Sequence, residues 1–182
     1  MTEIPKRHRV ESRKLLRSRG IPIRFAIITV STSRHRAIRE GEPTQDRSGD
    51  IAEHTVRSSG FDVGYRAIIP DDRQAIVDAL REAQSAACNI IIFIGGTGIS
   101  RDDITPDVLE GLVDRKIEGF GELFRVLSYQ EVGSAAMLTR AMAGICGKTL
   151  IFAVPGSPNA VRLALEKLII PEVEYMIYLI SR

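Results

Sequence analysis

Three short runs of the chain are apolar almost throughout: residues 24–30 (RFAIITV), 89–94 (NIIIFI) and 149–154 (TLIFAV). Apolar, β-rich runs of this length suit central parallel strands covered by helices on both faces. Residues 61–69 (FDVGYRAII) alternate more and are expected to form a fourth strand nearer an edge. Between these runs the period lengthens. Residues 48–59 place Ile51, Thr55 and Val56 on one helical face, and residues 73–87 do the same with Ile76, Ala79, Leu80 and Ala83. A helix is expected over 158–168, with Ser157 as N-cap and Pro158 at its first position. Another is expected to start at Pro171, with Glu172 and Glu174 near its positive end. Alternation of strand and helix with short connections predicts a three-layer α/β/α sandwich with a mostly parallel sheet. No internal repeat or low-complexity segment interrupts it. Residues 1–23 read as a basic N-terminal arm, partly helical or flexible, ending near Gly20-Ile21-Pro22, and residues 24–182 as a single domain.

Charge sharpens that division. Residues 1–24 carry eight Lys or Arg against Glu3 and Glu11, a balance of +6. Since the whole chain is formally +2, the remainder is −4. The basic character belongs to the arm, and a nucleic-acid surface on the body is not expected. No apolar run is long and clean enough to span a bilayer, and the basic N-terminus lacks the apolar segment of a secretory signal. Two cysteines, Cys88 and Cys146, both within apolar stretches, are too few for a disulfide scaffold or a structural zinc site. A cytoplasmic protein with reduced thiols is expected.

Open α/β sheets bind ligands beyond the carboxyl ends of their strands. Here those ends run into Ser31-Thr32-Ser33 and a polar loop reaching Asp46-Arg47-Ser48-Gly49, into Pro70-Asp71-Asp72, into Gly95-Gly96-Thr97-Gly98, and into Pro155-Gly156-Ser157-Pro158-Asn159. The third is the most informative. Three glycines in four residues let backbone N–H groups approach a ligand and form an anion cradle, with Thr97 adding a hydroxyl. Asp102, Asp103 and Asp107 follow closely. Carboxylates beside a phosphate cradle repel the ligand unless a cation lies between, and one or two carboxylate oxygens with phosphate oxygens is how Mg²⁺ is usually held. The loop is no Walker A sequence and does not follow the first strand as a dinucleotide fingerprint does. A tight structural turn is the competing reading of the glycines, and helix capping the competing reading of Thr105 and Asp107.

The stretch GGTGISRDDITPD resembles the signature of the MoaB/Mog family: GGTG at Gly95–Gly98, then Asp103, Thr105 and Pro106 in D-x-T-P. Further marks of that family follow in order: D-x-S-G at Asp46, Ser48 and Gly49; Pro70-Asp71; E-G-F-G-E from Glu118 to Glu122; and P-G-S-P from Pro155 to Pro158. The run FGELFRVLSYQEVGSAAMLTRAMAG resembles the MoaB branch, and the resemblance covers about residues 24–170. It implies molybdenum or tungsten cofactor biosynthesis: transfer of AMP from ATP to the phosphate of molybdopterin, with Mg²⁺, releasing pyrophosphate. By motif matching, Asp71 and Asp103 are the catalytic and metal-binding carboxylates. The implied binding residues are Asp46, Ser48, Gly49, Gly95, Gly96, Thr97, Gly98, Thr105, Gly121, Glu122, Pro155, Gly156 and Ser157. The resemblance also implies a homo-oligomer, a trimer or hexamer, and transfer of product to a metal-insertion protein. Two departures are Asp102 beside Asp103, and Thr32 where many relatives carry Asp.

Other candidates weigh less. His54 lies within a helix beside Glu53; His35 in the first loop reads as a solvated histidine, with a binding role the alternative; Lys148 and Arg162 read as surface charges, with contact to a phosphate the alternative. Phe120 suits either a pterin-stacking ring or core packing. The run VEYMIYLI (173–180) is apolar on more than one helical face, so it is expected to meet another subunit or to be buried within the chain. Two further function classes stand beside the enzyme: a non-catalytic molybdopterin carrier, and an interaction or assembly protein acting through its basic arm.

Overall fold

A computed structural model describes residues 10, 11, 14–16 and 18–182. Six strands form one sheet in the order β2-β1-β3-β6-β5-β4. They are β1 (Arg24–Val30), β2 (Asp62–Ile69), β3 (Ile90–Ile94), β4 (Arg115–Lys116), β5 (Met142–Cys146) and β6 (Thr149–Val154). Strands β2, β1, β3 and β6 run parallel, so their carboxyl ends share one edge of the sheet. β5 and β4 extend the sheet antiparallel to β6. The alternating segment 61–69 does form the edge strand β2. The antiparallel pair was not foreseen: β5 (MAGIC) has too little branched apolar character to read as a strand, and β4 is only two residues long.

The apolar runs divide between two cores by their period of two. Phe25, Ile27, Ile90, Ile92, Ile94, Phe152 and Val154 face one side. Ala26, Ile28, Val30, Ile91, Phe93, Ile151 and Ala153 face the other. The first face is covered by α2 (Arg47–Ser58), α5 (Glu118–Val132), α6 (Pro158–Leu163) and α7 (Ile170–Ile180); the second by α3 (Arg73–Ser85) and α4 (Thr105–Glu110). This is the expected three-layer sandwich. The first loop, expected to be irregular, holds the helix α1 (Thr32–Arg39), whose eight residues include none that is buried. His35 therefore sits on a helix, half-buried, and not on a solvated loop.

Helices α6 and α7 are joined through a π turn over Ala164–Ile169. Pro171 lacks an amide hydrogen, and widening the preceding turn lets the helix continue past it. The apolar surface of α7 is spent within the chain. Val173 and Ile177 are buried, Met176, Tyr178 and Ile180 pack on the same core, and Leu179 is exposed. Intrachain packing thus takes up much of this helix's apolar surface, as the second of the two readings expected. At the other end, the described residues between 10 and 18 are helical, and Leu16 is buried in the first core. Most of the basic arm before it lies outside the described residues. Cys88 is buried, Cys146 is half-buried, and both are free thiols. Among the described residues no helix is long and apolar enough to cross a membrane.

Candidate functional site

The four loops meet at the carboxyl edge of the parallel strands. Gly95 hangs from β6 through its N–H, which donates to the Val154 carbonyl at 2.9 Å. Its φ of +113° and a backbone so close that a Cβ would lie 2.4 Å from the Val30 carbonyl oxygen both require glycine. Gly156 packs against it, its Cβ position 3.6 Å from the Gly95 Cα. Ser48 ties the first loop to the last by donating to the Gly156 carbonyl at 2.6 Å.

A cleft of about 390 Å³ opens over this junction. Gly95, Gly96, Thr97, Gly98 and Asp103 form one wall, Pro155, Gly156 and Ser157 another, and Phe124, Ala135, Ala136 and Leu138 an apolar third. Ser157 caps α6 by accepting from the Ala160 N–H at 3.3 Å, as its sequence position predicts.

Asp71 borders the glycine loop from the side. Its Oδ2 accepts from the Thr32 N–H at 2.9 Å and the Thr32 hydroxyl at 2.8 Å, while Thr32 Oγ1 in turn accepts the Asp71 N–H at 3.0 Å. Its Oδ1 makes no hydrogen bond among the described residues and lies 3.0 Å from where a Gly96 Cβ would stand. Thr105 Oγ1 lies 2.4 Å from that same point. Thr105 is fully buried, and its hydroxyl is the one buried side-chain polar atom without a partner among the described residues. It makes no capping bond to α4, so the capping reading of Thr105 fails. A buried hydroxyl left unbonded costs free energy, and this one lies behind Gly96, outside the lining of the cleft.

Asp103 stands against Gly98. Its Oδ2 accepts from the Ser100 hydroxyl at 2.5 Å and the Ser100 N–H at 3.0 Å. Burial works to raise its pKa, but the Ser100 bonds, the Gly98 backbone and the Arg140 charge outweigh it and hold the carboxyl below the usual carboxylate value. The neighbouring Asp102 is exposed and does not line the cleft, which separates the two aspartates. No group of three or more His, Cys, Asp or Glu side chains is arranged to hold a metal among the described residues. Asp103 lines the cleft and Asp71 borders Gly96 from the other side.

Asp46 is placed differently. It caps α2, accepts from Gly49 N–H at 3.1 Å, from Thr29 Oγ1 at 2.8 Å and from Arg66 at 3.2 Å, and is buried. Gly49 leaves room for that carboxylate, since its Cβ would lie 2.0 Å from Asp46 Oδ2. These residues hold the first loop; they do not line the cleft. Gly121 lines a second cleft of about 510 Å³, together with Arg125, Arg140 and Asp107, whereas Glu122 is exposed and lines neither. Phe120 is 6% exposed and packs edge-on against Phe152 and stacked on Phe124, so it belongs to the core. His54, Lys148 and Arg162 are exposed away from the cleft, as surface residues. Arg140, which the sequence reading passed over, is the strongest link to the Asp103 loop. Its partners are mostly backbone carbonyls, which leave no mark in a sequence motif.

A mostly parallel α/β sandwich with a glycine-rich loop and a cleft at the carboxyl edge of its strands defines a protein of the open-sheet class. Residues 26–175 match a family model described as "Probable molybdopterin binding domain". The chain is 41% identical over 163 residues to molybdenum cofactor biosynthesis protein B of Staphylococcus carnosus, covering 88% of this chain and 92% of that one. It is 40% identical over 155 residues to the protein of the same name from Escherichia coli K12, covering 85% and 87%. Among solved structures it is similar to the tungsten cofactor synthesizing protein MoaB from Pyrococcus furiosus, with a TM-score of 0.79, 37% identity and coverage of 89% and 99%. The chain belongs to the molybdopterin-binding MoaB/Mog family.

Proposed function

We propose that this protein acts in molybdenum or tungsten cofactor biosynthesis as a Mg-ATP-dependent molybdopterin adenylyltransferase. The observation that carries the reading is the cleft over Gly96, Thr97 and Gly98, with Asp103 in its wall and Asp71 Oδ1 beside Gly96. Gly96 and Thr97 would receive phosphate oxygens through their N–H groups, while the Gly95 N–H is held by the Val154 carbonyl and the Gly98 backbone by Asp103; Pro155, Gly156 and Ser157 line the pocket and Thr105 packs behind it. Asp71 and Asp103 would hold Mg²⁺, which when bound lessens the repulsion between two anionic substrates. Thr32 and Ser100 fix one oxygen of each carboxylate. Asp46, Ser48 and Gly49 place the first loop, and the apolar wall beside Phe124 suits a flat heterocycle. A phosphate oxygen of molybdopterin would attack the α-phosphorus of ATP, and the bond to pyrophosphate would break. The protein's part is orientation and electrostatics.

We further place it in the cytoplasm as a homo-oligomer, trimer or hexamer, that passes its product to a metal-insertion protein. Residues 24–182 would be the functional unit. The surface that supports assembly is the outer face of α5: Leu123, Val126, Tyr129 and Val132 recur every third residue and are each more than half exposed. Such a stripe usually meets a partner, and α5 also walls the cleft through Phe124 and Ser128. Pyrophosphate release tests the activity. Release that needs molybdopterin, ATP and Mg²⁺ together supports it, whereas tight pterin binding without release would make the protein a carrier.

A further inference from the structure

The segment between β3 and α4 carries the cradle and Asp103 but has little structure of its own. Its internal backbone bonds are few: Asp103 N–H to Ser100 O at 3.2 Å, Ile104 N–H to Asp102 O at 3.0 Å, and Thr105 N–H to Gly96 O at 3.1 Å. Ser100 adds its N–H and hydroxyl bonds to the Asp103 carboxylate, and Arg140 ties the segment to the rest of the fold. Its backbone N–H donates to Thr97 O at 2.8 Å, its Nε to Gly98 O at 2.8 Å, and its Nη2 to Asp103 O. Its Nη1 reaches both carboxylate oxygens of Asp107, at 2.7 and 2.8 Å. One side chain thus grips the segment at both ends of its irregular part and at the first turn of α4. Two residues later the chain enters β5, which pairs with β6 inside the sheet, so the grip has a firm base.

We propose that Arg140 is the positioning residue that holds the Asp103 segment in its ligand-receiving shape, a claim that rests on the reading of Asp103 as a metal-holding carboxylate. Arg140 lines the second cleft and not the first, so with substrates in the first cleft it would act through Asp103. The planar guanidinium fork is the reason for arginine. A lysine ammonium cannot reach two carbonyls and a carboxylate in fixed directions. The carbonyl bonds matter more than the ion pair, because Asp107 is 53% exposed and an exposed pair contributes little.

Three variants of the full chain separate these roles: Arg140→Gln, Arg140→Lys and Asp107→Asn. Amide hydrogen exchange over residues 97–107 reads the shape directly, and the half-saturation of Mn²⁺ with ATP, followed by electron paramagnetic resonance, reads the metal site. Arg140→Gln and Arg140→Lys are expected to speed exchange in 97–107 at least tenfold while β3 and β6 stay protected. The Mn²⁺ half-saturation should rise about tenfold, and kcat should fall more than tenfold with KM for molybdopterin within threefold. Asp107→Asn should change each readout less than threefold. Unchanged exchange in 97–107, exchange rising equally across the chain, an unchanged Mn²⁺ half-saturation, or an Arg140→Lys protein that matches wild type would each overturn the proposal. Exchange and Mn²⁺ binding still decide it if wild-type protein releases no pyrophosphate, which would count against the adenylylation reading alone.

Discussion

Replacing Thr105 by valine should move stability and activity in opposite directions. Valine has nearly the shape of threonine but no hydroxyl, and Thr105 is fully buried with an unbonded Oγ1. A buried polar group left unsatisfied costs about 1–3 kcal/mol. Removing it should therefore stabilise the ligand-free protein by an amount of that order, a rise in Tm of at least about 2 °C for a chain of this size. The same hydroxyl lies behind Gly96, near Asp71 Oδ1, and the proposed function would have ligand binding open it to a phosphate oxygen. A hydrogen bond to a charged group contributes about 1.5–3 kcal/mol, so its loss should lower kcat/KM roughly tenfold or more. Thr105→Ser keeps the hydroxyl and should keep most of the activity. Differential scanning calorimetry of ligand-free protein and initial-rate pyrophosphate assays measure the two effects. A valine variant that melts lower and turns over like wild type would show that Thr105 is an ordinary core residue, and the account of the cradle would fail with it.

Asp103→Asn should keep the fold and pterin binding while losing most adenylyl transfer, because the metal loses a charged ligand; unchanged turnover at saturating Mg²⁺ would reject that role. The depressed Asp103 pKa gives a pH test. A depressed carboxylate contributes stability that is complete above the unfolded value of about 3.9 and is lost as pH falls through the lower folded value. Ser100→Ala removes the hydroxyl bond and should move the acidic limb of the rate profile upward, and a limb that stays in place would assign it to another group. For assembly, Val126→Glu with Tyr129→Asp should shift light-scattering mass toward smaller species, and Leu179→Asp on α7 should not; the reverse pattern would return the interface to the C-terminal helix.

The sheet was legible where burial on both faces forced a continuous apolar run. β1 and β6 begin and end where RFAIITV and TLIFAV do. β5 escaped because it mixes alanine and glycine, and Gly144 is needed there for contact, since its Cβ would lie 2.6 Å from Val113 Cγ1. Helix α1 escaped because TSRHRAIR has no apolar stripe, and it is held by its Ser31 cap and its neighbours. The cradle loops were readable from glycine and aspartate spacing, and their convergence followed from parallel topology. Asp46 was readable as a motif residue but not as a buried N-cap, because its partners Thr29 and Arg66 come from two strands. The Arg140 grip depends on contacts spanning 37 and 42 residues to carbonyl oxygens, and no local pattern encodes such contacts.

In the proposed function this chain transfers AMP to molybdopterin. Incubating the protein with molybdopterin, Mg²⁺ and ATP labelled at the α-phosphorus tests it most directly, with the pterin product resolved by mass spectrometry. Label in an adenylylated pterin, pyrophosphate released in equal amount, and loss of both in Asp71→Asn and Asp103→Asn are expected. Pterin recovered unlabelled from wild-type protein that binds it tightly, with ATP intact, would contradict it.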